Sequence, residues 1–233
     1  GLISGMSIYL KKKYPNSKII GVESEDAPTL YTSMKNGKPT TLNQVGLFVD
    51  GCAVKRIGNE TFKISSKYVD DVVLVSIDET CAAIKDIYED TRIMSEPAGA
   101  LSVAGMKKFI IENDIKDKNI LVVNSGANLN FDRLRHVTER AEVGEGKELL
   151  LSVNIPEIAG SFRSFCEVIG KRSISEFNYR YASEKTANVF VGIKTDNISS
   201  DSEKIFKDLK SNNYDYLDLT MDEVAKLHLR YMV

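Results

Sequence analysis

The run Asn124-Ser125-Gly126-Ala127-Asn128 sets one hydroxyl among small residues and between two asparagines. The four apolar residues before it, Ile120 to Val123, read as a short buried strand that this run breaks. In open α/β sheets, ligands collect in the crevice beyond the carboxyl ends of the strands. A hydroxyl there, next to Gly126, can meet a ligand at close range. The same residues also suit an ordinary strand-to-helix turn with an Asn or Ser cap. A carboxylate with a similar choice is Glu96, directly before Pro97, a residue that fits the first turn of a helix. It either complements the helix dipole or points into a site. Glu23, Glu25 and Asp26 form an acidic cluster that could hold a hard cation through carboxylates and carbonyls, or simply make a solvated, helix-capping loop. Gly1 and Leu2 open a helical pattern, and small residues at a helix start suit an anion.

The elements that must position these groups follow from periodicity. Up to about residue 142, apolar strands (Lys18 to Glu23, Val72 to Ile77, Ile120 to Val123) alternate with helical stretches. The helices are expected near Gly1–Tyr14, Thr29–Lys35, Asn59–Tyr68, from an Asp78 cap to Met94, Pro97–Asn113 and Phe131–Ala141. Cys81, Ile84, Ile87 and Tyr88 point inward on the fourth of these. The Pro97 helix is rich in Ala and Gly and can pack closely. Val45 to Gly58, with three glycines and no clean period, reads as irregular backbone near a site or interface. This alternation predicts a part of an α/β domain with a mainly parallel sheet. With no start methionine, the chain reads as entering that domain from inside it.

Residues 143–148, rich in Gly and charge, read as a linker. From 149 to 233 the grammar changes. Leu149 to Ile155 alternates as a strand, and Ser161 to Ile169 is a helix with Phe162, Phe165, Cys166 and Ile169 inward. Ser173 to Tyr181 and Ala187 to Lys194 form a hairpin. Ser200 to Glu203 reads as a capping box opening a helix, and Tyr214 to Leu219 as a strand. A last helix starts at Asp222, with Val224, Leu227 and Tyr231 on one side. The order β-α-β-β-α-β is the α+β ferredoxin-like pattern.

Composition narrows the function classes. The formal net charge of −2 gives no basic surface for nucleic acid or anionic membrane, and no apolar run approaches the roughly 20 residues of a spanning helix. Three cysteines, Cys52, Cys81 and Cys166, lie far apart and fit neither a disulfide framework nor a metal cluster, which points to a reducing, cytoplasmic setting. His136 and His228 lack ligand-like neighbours.

Several stretches, in this order and spacing, resemble the biosynthetic threonine deaminase (threonine dehydratase) family: VGLFVDGCAVKRIG, SEPAGALSVAGMKK, VVNSGAN, GSFRSFC, SEFNYRY and AKLHLRYMV. The resemblance runs along almost the whole chain. It implies the C-terminal part of a fold-type II pyridoxal-phosphate domain (tryptophan synthase β-like), followed by one ACT-like regulatory domain. The implied reaction turns L-threonine into 2-oxobutanoate and ammonia, on the route to isoleucine. Isoleucine is then the inhibitor and valine its antagonist, and a homo-oligomer, dimer or tetramer, is expected. By resemblance, Ser125 hydrogen-bonds the cofactor's pyridine nitrogen, Gly1 and Leu2 end the phosphate loop, and Gly51 and Gly126 line the ring. Glu96 is then a pocket carboxylate. The lysine that would carry the cofactor has no counterpart in this sequence, so the chain is expected to be inactive alone. Some relatives hold a cation at the positions of Glu23 and Ala27 with a second carboxylate two residues on. Thr29 stands there, which leaves room only for a weak monovalent ion. Effector contacts are expected at Glu157, Gly160, Ser161, Phe162, Asn178 and Arg180; alternatively these residues merely build the sheet and its turns.

Overall fold

The computed structural model describes residues 1–181, 183, 185–222 and 224. They fall into two units, Gly1–Gly144 and Glu145–Val233. The expected final helix, with Leu227 and Tyr231, His228 and the AKLHLRYMV stretch lie outside the described residues.

In the first unit, α1 (Leu2–Lys13) precedes β1 (Ile20–Ser24) and α2 (Thr29–Asn36), and α3 (Asn59–Tyr68) leads into β2 (Asp71–Val75). The two strands pair in parallel, Ile20 against Asp71 through Ser24 against Val75. Successive side chains of β2 leave on opposite faces. Val72 joins Leu30, Phe62 and Val69 on one side, and Val73 and Val75 join Cys81, Ile84, Ala100, Leu101 and Ala104 on the other. A strand covered on both faces reads as an unbroken apolar run, as this one does.

The second of these cores is supplied by α4 (Ile77–Thr91) and α5 (Pro97–Glu112). The small face of α5 lets its backbone close on β1: a side chain at Gly105 would overlap Val22. A short 3-10 turn (Phe131–Arg133) then leads into α6 (Leu134–Gly144). Residues 45–58 are irregular, with an isolated bridge between Thr41 and Arg56.

Three expectations are corrected in this unit. Ile120 to Val123 is not a strand. Ile120, Leu121 and Val123 are 43%, 83% and 36% exposed. Apolar pattern alone does not make a strand; a ladder partner is required, and among the described residues the sheet of this unit consists of β1 and β2. Asp78 does not cap α4. Ser76 does, through a reciprocal box in which its hydroxyl accepts the Glu79 N–H at 3.1 Å and Glu79 accepts the Ser76 N–H at 2.7 Å. Asp78, one turn-position further in, is buried against Arg140 Nε of α6 at 2.5 Å. Tyr88 faces solvent, 43% exposed, with Arg92 over its ring.

The second unit is β3 (Glu148–Pro156), α7 (Ser161–Ile169), β4 (Ile174–Tyr181), β5 (Thr186–Lys194), α8 (Ile198–Ser211) and β6 (Asp215–Asp218). The sheet order is β4-β5-β3-β6 with antiparallel pairs throughout, the ferredoxin-like arrangement. One sheet face, through Leu149, Leu151, Val153, Val189 and Val191, packs on Phe165 and Ile169 of α7 and Ile205 and Leu209 of α8. The capping box expected at Ser200 is displaced: α8 starts earlier, capped by Asn197, whose side chain accepts the Ser200 N–H. A cap works at the residue just before the first helical turn, and Asn197 holds that position.

Candidate functional site

The start of α5 gathers Glu96, Gly51 and the Asn124–Asn128 loop. Pro97 is its first helical residue and Glu96 its N-cap, yet the Glu96 side chain makes no capping bond to its own helix. Its carboxylate instead accepts the Asn128 N–H at 3.0 Å, and its backbone N–H donates to Gly126 O at 3.1 Å. The Ser95 hydroxyl is fully buried. It lies 2.8 Å from Asn124 Oδ1, 3.3 Å from Gly126 O and 3.1 Å from Glu96 O, donating to one of them at a time.

Two glycines are required here by close approach rather than by dihedral angle. A Cβ at Gly126 would overlap the Glu96 carboxylate, and one at Gly51 would come within 2.9 Å of Ala98 Cβ and 3.4 Å of Glu96 Oε1. Beside them opens a cavity of about 310 Å³ lined by Asp50, Gly51, Glu96, Asn128, Asn130 and Arg133. Arg133 closes one wall, donating to Phe48 O at 3.1 Å and reaching Asp50 at 3.4 Å.

The fold therefore brings Gly51, Glu96 and Gly126 together and leaves Ser125 exposed on the loop, between Asn124, held by Ser95, and Gly126, held by Glu96, and not itself among the residues that line the cavity. Gly1 and Leu2 lie at the exposed start of α1 and do not line this cavity. Sequence reasoning missed Ser95, Asp50, Asn130 and Arg133. Ser95 was legible only as a restart before Pro97, and the other three carried no spacing signal.

The wall is acidic, and Cys52 registers it. Burial of the thiol first, then the charges of Glu23, Asp26, Asp50 and Glu96, push it from 9.0 to about 11. Of the cation candidates, the Glu23 carboxylate accepts the N–H groups of Leu30 and Tyr31 at 2.8 and 2.9 Å, capping α2. Burial raises its pKa while those bonds partly oppose the shift. The Ala27 carbonyl accepts the Thr29 N–H at 2.9 Å. Among the described residues, no group of three His, Cys, Asp or Glu is placed to hold a metal ion.

In the second unit, the effector candidates divide between the two sheet faces. Phe162 meets the Phe177 ring edge-on at 4.9 Å. The Glu157 carboxylate accepts the Tyr179 hydroxyl, which raises the phenol's pKa. Gly160, at φ 94°, turns the chain into α7 and its Ser161. Ile158, in the same loop, is 71% exposed. Asn178 and Arg180 alternate with Phe177 and Tyr179 along β4 and so leave on the opposite face.

Comparison with known proteins gives this geometry a context. Residues 1–126 match the family described as "Pyridoxal-phosphate dependent enzyme", and residues 139–229 match the "C-terminal regulatory domain of Threonine dehydratase". The chain belongs to the pyridoxal-phosphate dependent enzyme family. Within it, the chain is similar to biosynthetic threonine dehydratases. It is 51% identical to the L-threonine dehydratase of Pasteurella multocida and 47% identical to that of Escherichia coli, over its whole length. It spans 45% of each of those relatives, so less than half of their length. Among solved structures, the processed form of threonine deaminase isoform 2 from Solanum lycopersicum is 40% identical. It superposes with a TM-score of 0.59, covering 60% of this chain and 41% of that one. No helix among the described residues is long and apolar enough to cross a membrane.

Proposed function

We propose that this chain supplies one side of the active site, and the regulatory unit, of a threonine dehydratase. The reaction is the pyridoxal-phosphate dependent conversion of L-threonine into 2-oxobutanoate and ammonia. The observation that carries the reading is the alignment of the whole chain, through both units in order, with one kind of enzyme. The setting we propose is cytoplasmic.

The residues at the start of α5 fit the cofactor on one side. A cavity of about 310 Å³ is at the lower end of small-molecule sites, and Gly51 presents bare backbone to it. None of the six lining residues is a lysine, so covalent attachment is not their task. When bound, the pyridine ring of pyridoxal phosphate takes up carbanion charge. The Ser125 hydroxyl would donate to its ring nitrogen. A neutral hydroxyl, unlike a carboxylate, does not hold that nitrogen protonated, which moderates the charge uptake and suits loss of a β-substituent. Gly51 and Gly126 would bring backbone, and Glu96 a carboxylate, to the side of the group. Gly1 and Leu2 remain proposed as the end of the phosphate loop.

Mixing the chain with a separately expressed N-terminal segment of the Pasteurella multocida relative, pyridoxal phosphate and threonine should yield 2-oxobutanoate. Silence of that mixture beside an active full-length control overturns the reading.

A second reading concerns the ferredoxin-like unit. The Glu157–Tyr179 and Phe162–Phe177 contacts, with exposed Ile158 at the same loop, supply a carboxylate and apolar surface. These are the complements of an amino acid's ammonium and aliphatic side chain. We propose isoleucine as the inhibitor and valine as its antagonist there, with Gly160 and Ser161 offering backbone to the ligand. Asn178 and Arg180 then serve the other sheet face, where a second copy of the chain pairs to make a dimer or tetramer. Calorimetric titration of isoleucine into the whole chain should release heat that Glu157→Ala removes. No heat at millimolar ligand excludes the effector site. Sedimentation of the chain as a monomer at all concentrations excludes the assembly.

A further inference from the structure

The loop that carries Ser125 is fastened at alternate residues. Asn124 is held by the Ser95 hydroxyl at 2.8 Å, Gly126 by the Glu96 N–H at 3.1 Å, and Asn128 by the Glu96 carboxylate at 3.0 Å. Ser125 and Ala127 fall between these anchors, and both are exposed. All the anchors come from two adjacent residues, Ser95 and Glu96, at the start of one helix. The Glu96 side chain also forgoes the usual N-cap bond to its own helix, so its hydrogen-bonding capacity is directed at the loop. Three glycines permit this. Gly126 gives the Glu96 carboxylate room to lie on the loop, Gly51 admits the same carboxylate from the other side, and Gly99 lets Gly126 O and Ser95 Oγ approach within 2.6 and 2.8 Å of where its Cβ would stand.

We propose that Ser95 and Glu96 are positioning residues, a two-residue clamp that fixes the 124–128 loop and so aims the Ser125 hydroxyl. Ser95 sets the entry of the loop and Glu96 its exit, and α5, anchored by Ala100, Leu101 and Ala104 in the core, is the rigid body to which both are attached. The side chain of Glu96 acts as an acceptor of an N–H, not as a base, and the carboxylate is used because a charged acceptor binds that N–H more strongly than a neutral one. The functional meaning of the clamp rests on the reading of Ser125 given above; its existence does not.

The clamp is tested by amide hydrogen exchange on the whole chain, read at Asn128. Glu96→Ala removes the acceptor and should speed exchange there by about tenfold or more. Glu96→Gln keeps an acceptor oxygen and should restore most of the protection. Ser95→Ala should loosen the same amide without touching it directly. Amides at Leu101 and Ala104 report whether α5 is intact, and they should not change. Unchanged exchange at Asn128 in Glu96→Ala, or a Gln variant as fast as the Ala variant, overturns the clamp. The Ser125 reading is separated by the absorption maximum of pyridoxal phosphate bound to the complex reconstituted with the N-terminal segment. Glu96→Ala and Ser125→Ala should move it in the same direction, and the double variant should match Ser125→Ala alone. Faster exchange in Glu96→Ala with no spectral change in Ser125→Ala overturns the Ser125 reading and leaves the clamp standing. A spectral change in Ser125→Ala with no effect of Glu96→Ala on exchange or spectrum overturns the clamp alone.

Discussion

Cys52 reports the electrostatics of the cavity wall, and its reactivity can be worked out in advance. The residue reaches the surface, yet its thiol, turned toward Val49 O, is pushed from 9.0 to about 11 by burial and by Glu23, Asp26, Asp50 and Glu96. At about pH 8 an ordinary thiol is roughly 9% thiolate and this one roughly 0.1%, a deficit of about ninetyfold. The more basic thiolate is also the better nucleophile. With a Brønsted slope of roughly 0.45, two pKa units return about eightfold. The deficit wins, and Cys52 should react with neutral dithiodipyridine about tenfold more slowly than an unperturbed exposed thiol. The assay is thiopyridone release from a Cys166→Ser background, where fully buried Cys81 is shielded. The rate should keep climbing through about pH 10 instead of levelling near 9. Asp50→Asn and Glu96→Gln should each accelerate it at about pH 8, since each removes a charge that disfavours the thiolate. A rate equal to that of the unfolded chain, or one indifferent to both substitutions, would refute the placement of Asp50 and Glu96 near this thiol.

Other expectations follow from single contacts. Asp78→Ala removes the carboxylate that Arg140 Nε reaches at 2.5 Å and should cost about 1–3 kcal/mol in urea unfolding followed by circular dichroism, with the Asp78→Ala/Arg140→Ala double variant losing less than the sum of the singles; additive losses would rule out the coupling. Phe165→Ala, at 0% exposure, should cost about 3–5 kcal/mol, while half-exposed Phe162→Ala costs about 1 kcal/mol or less; equal losses would contradict the packing. Tyr179 has a raised pKa because Glu157 accepts its hydroxyl. The stabilisation from that contact is therefore present below the ordinary phenol value of 10.0 and is lost as pH rises through the higher folded value. A phenolate difference spectrum against Tyr179→Phe should show a midpoint above 10.0 that Glu157→Gln moves back down; a midpoint indifferent to Glu157 would remove the contact. Glu23→Ala uncaps Leu30 and Tyr31 and should cost about 0.5–2 kcal/mol; thermal melts coinciding with those of the parent chain would deny the cap.

Local chemistry made much of this legible. The periods over Asn59–Tyr68 and Ser161–Ile169 coincide with helices α3 and α7 because Phe62, and Phe165 with Ile169, each face one core, whereas Phe162, expected inward, is 48% exposed because it lies on the first turn at the edge of the sheet face. The strand–helix order from Leu149 to Leu219 matches the sheet, and Leu149, Leu151, Val153, Val189 and Val191, at every second position of β3 and β5, all face the helices. Helix starts were less legible. Ser76 with Glu79 outcompetes Asp78, and Asn197 outcompetes Ser200, because several good cap residues lie within one turn and only the tertiary path of the chain selects among them. The site was legible where backbone is crowded: Gly51, Glu96 and Gly126 do meet. It was not legible where side chains converge from afar. Arg133 reaches Phe48 across 85 positions of sequence, and no local pattern encodes that.

Ile120 to Val123 shows the sharper limit. Its composition is that of a buried strand, and its exposure of 83% at Leu121 is that of a loop. A strand is a relation between two backbones, so the same residues can belong to a strand only where a partner edge is offered. The Asn124–Asn128 loop beyond it keeps its conformation regardless, because its anchors come from Ser95 and Glu96 on α5 rather than from a neighbouring strand. The loop and the run before it are thus separable. A partner that pairs with Ile120–Val123 should protect those amides from exchange while leaving the protection at Asn128 unchanged. If both rise together, the loop is held by the sheet and not by the helix start.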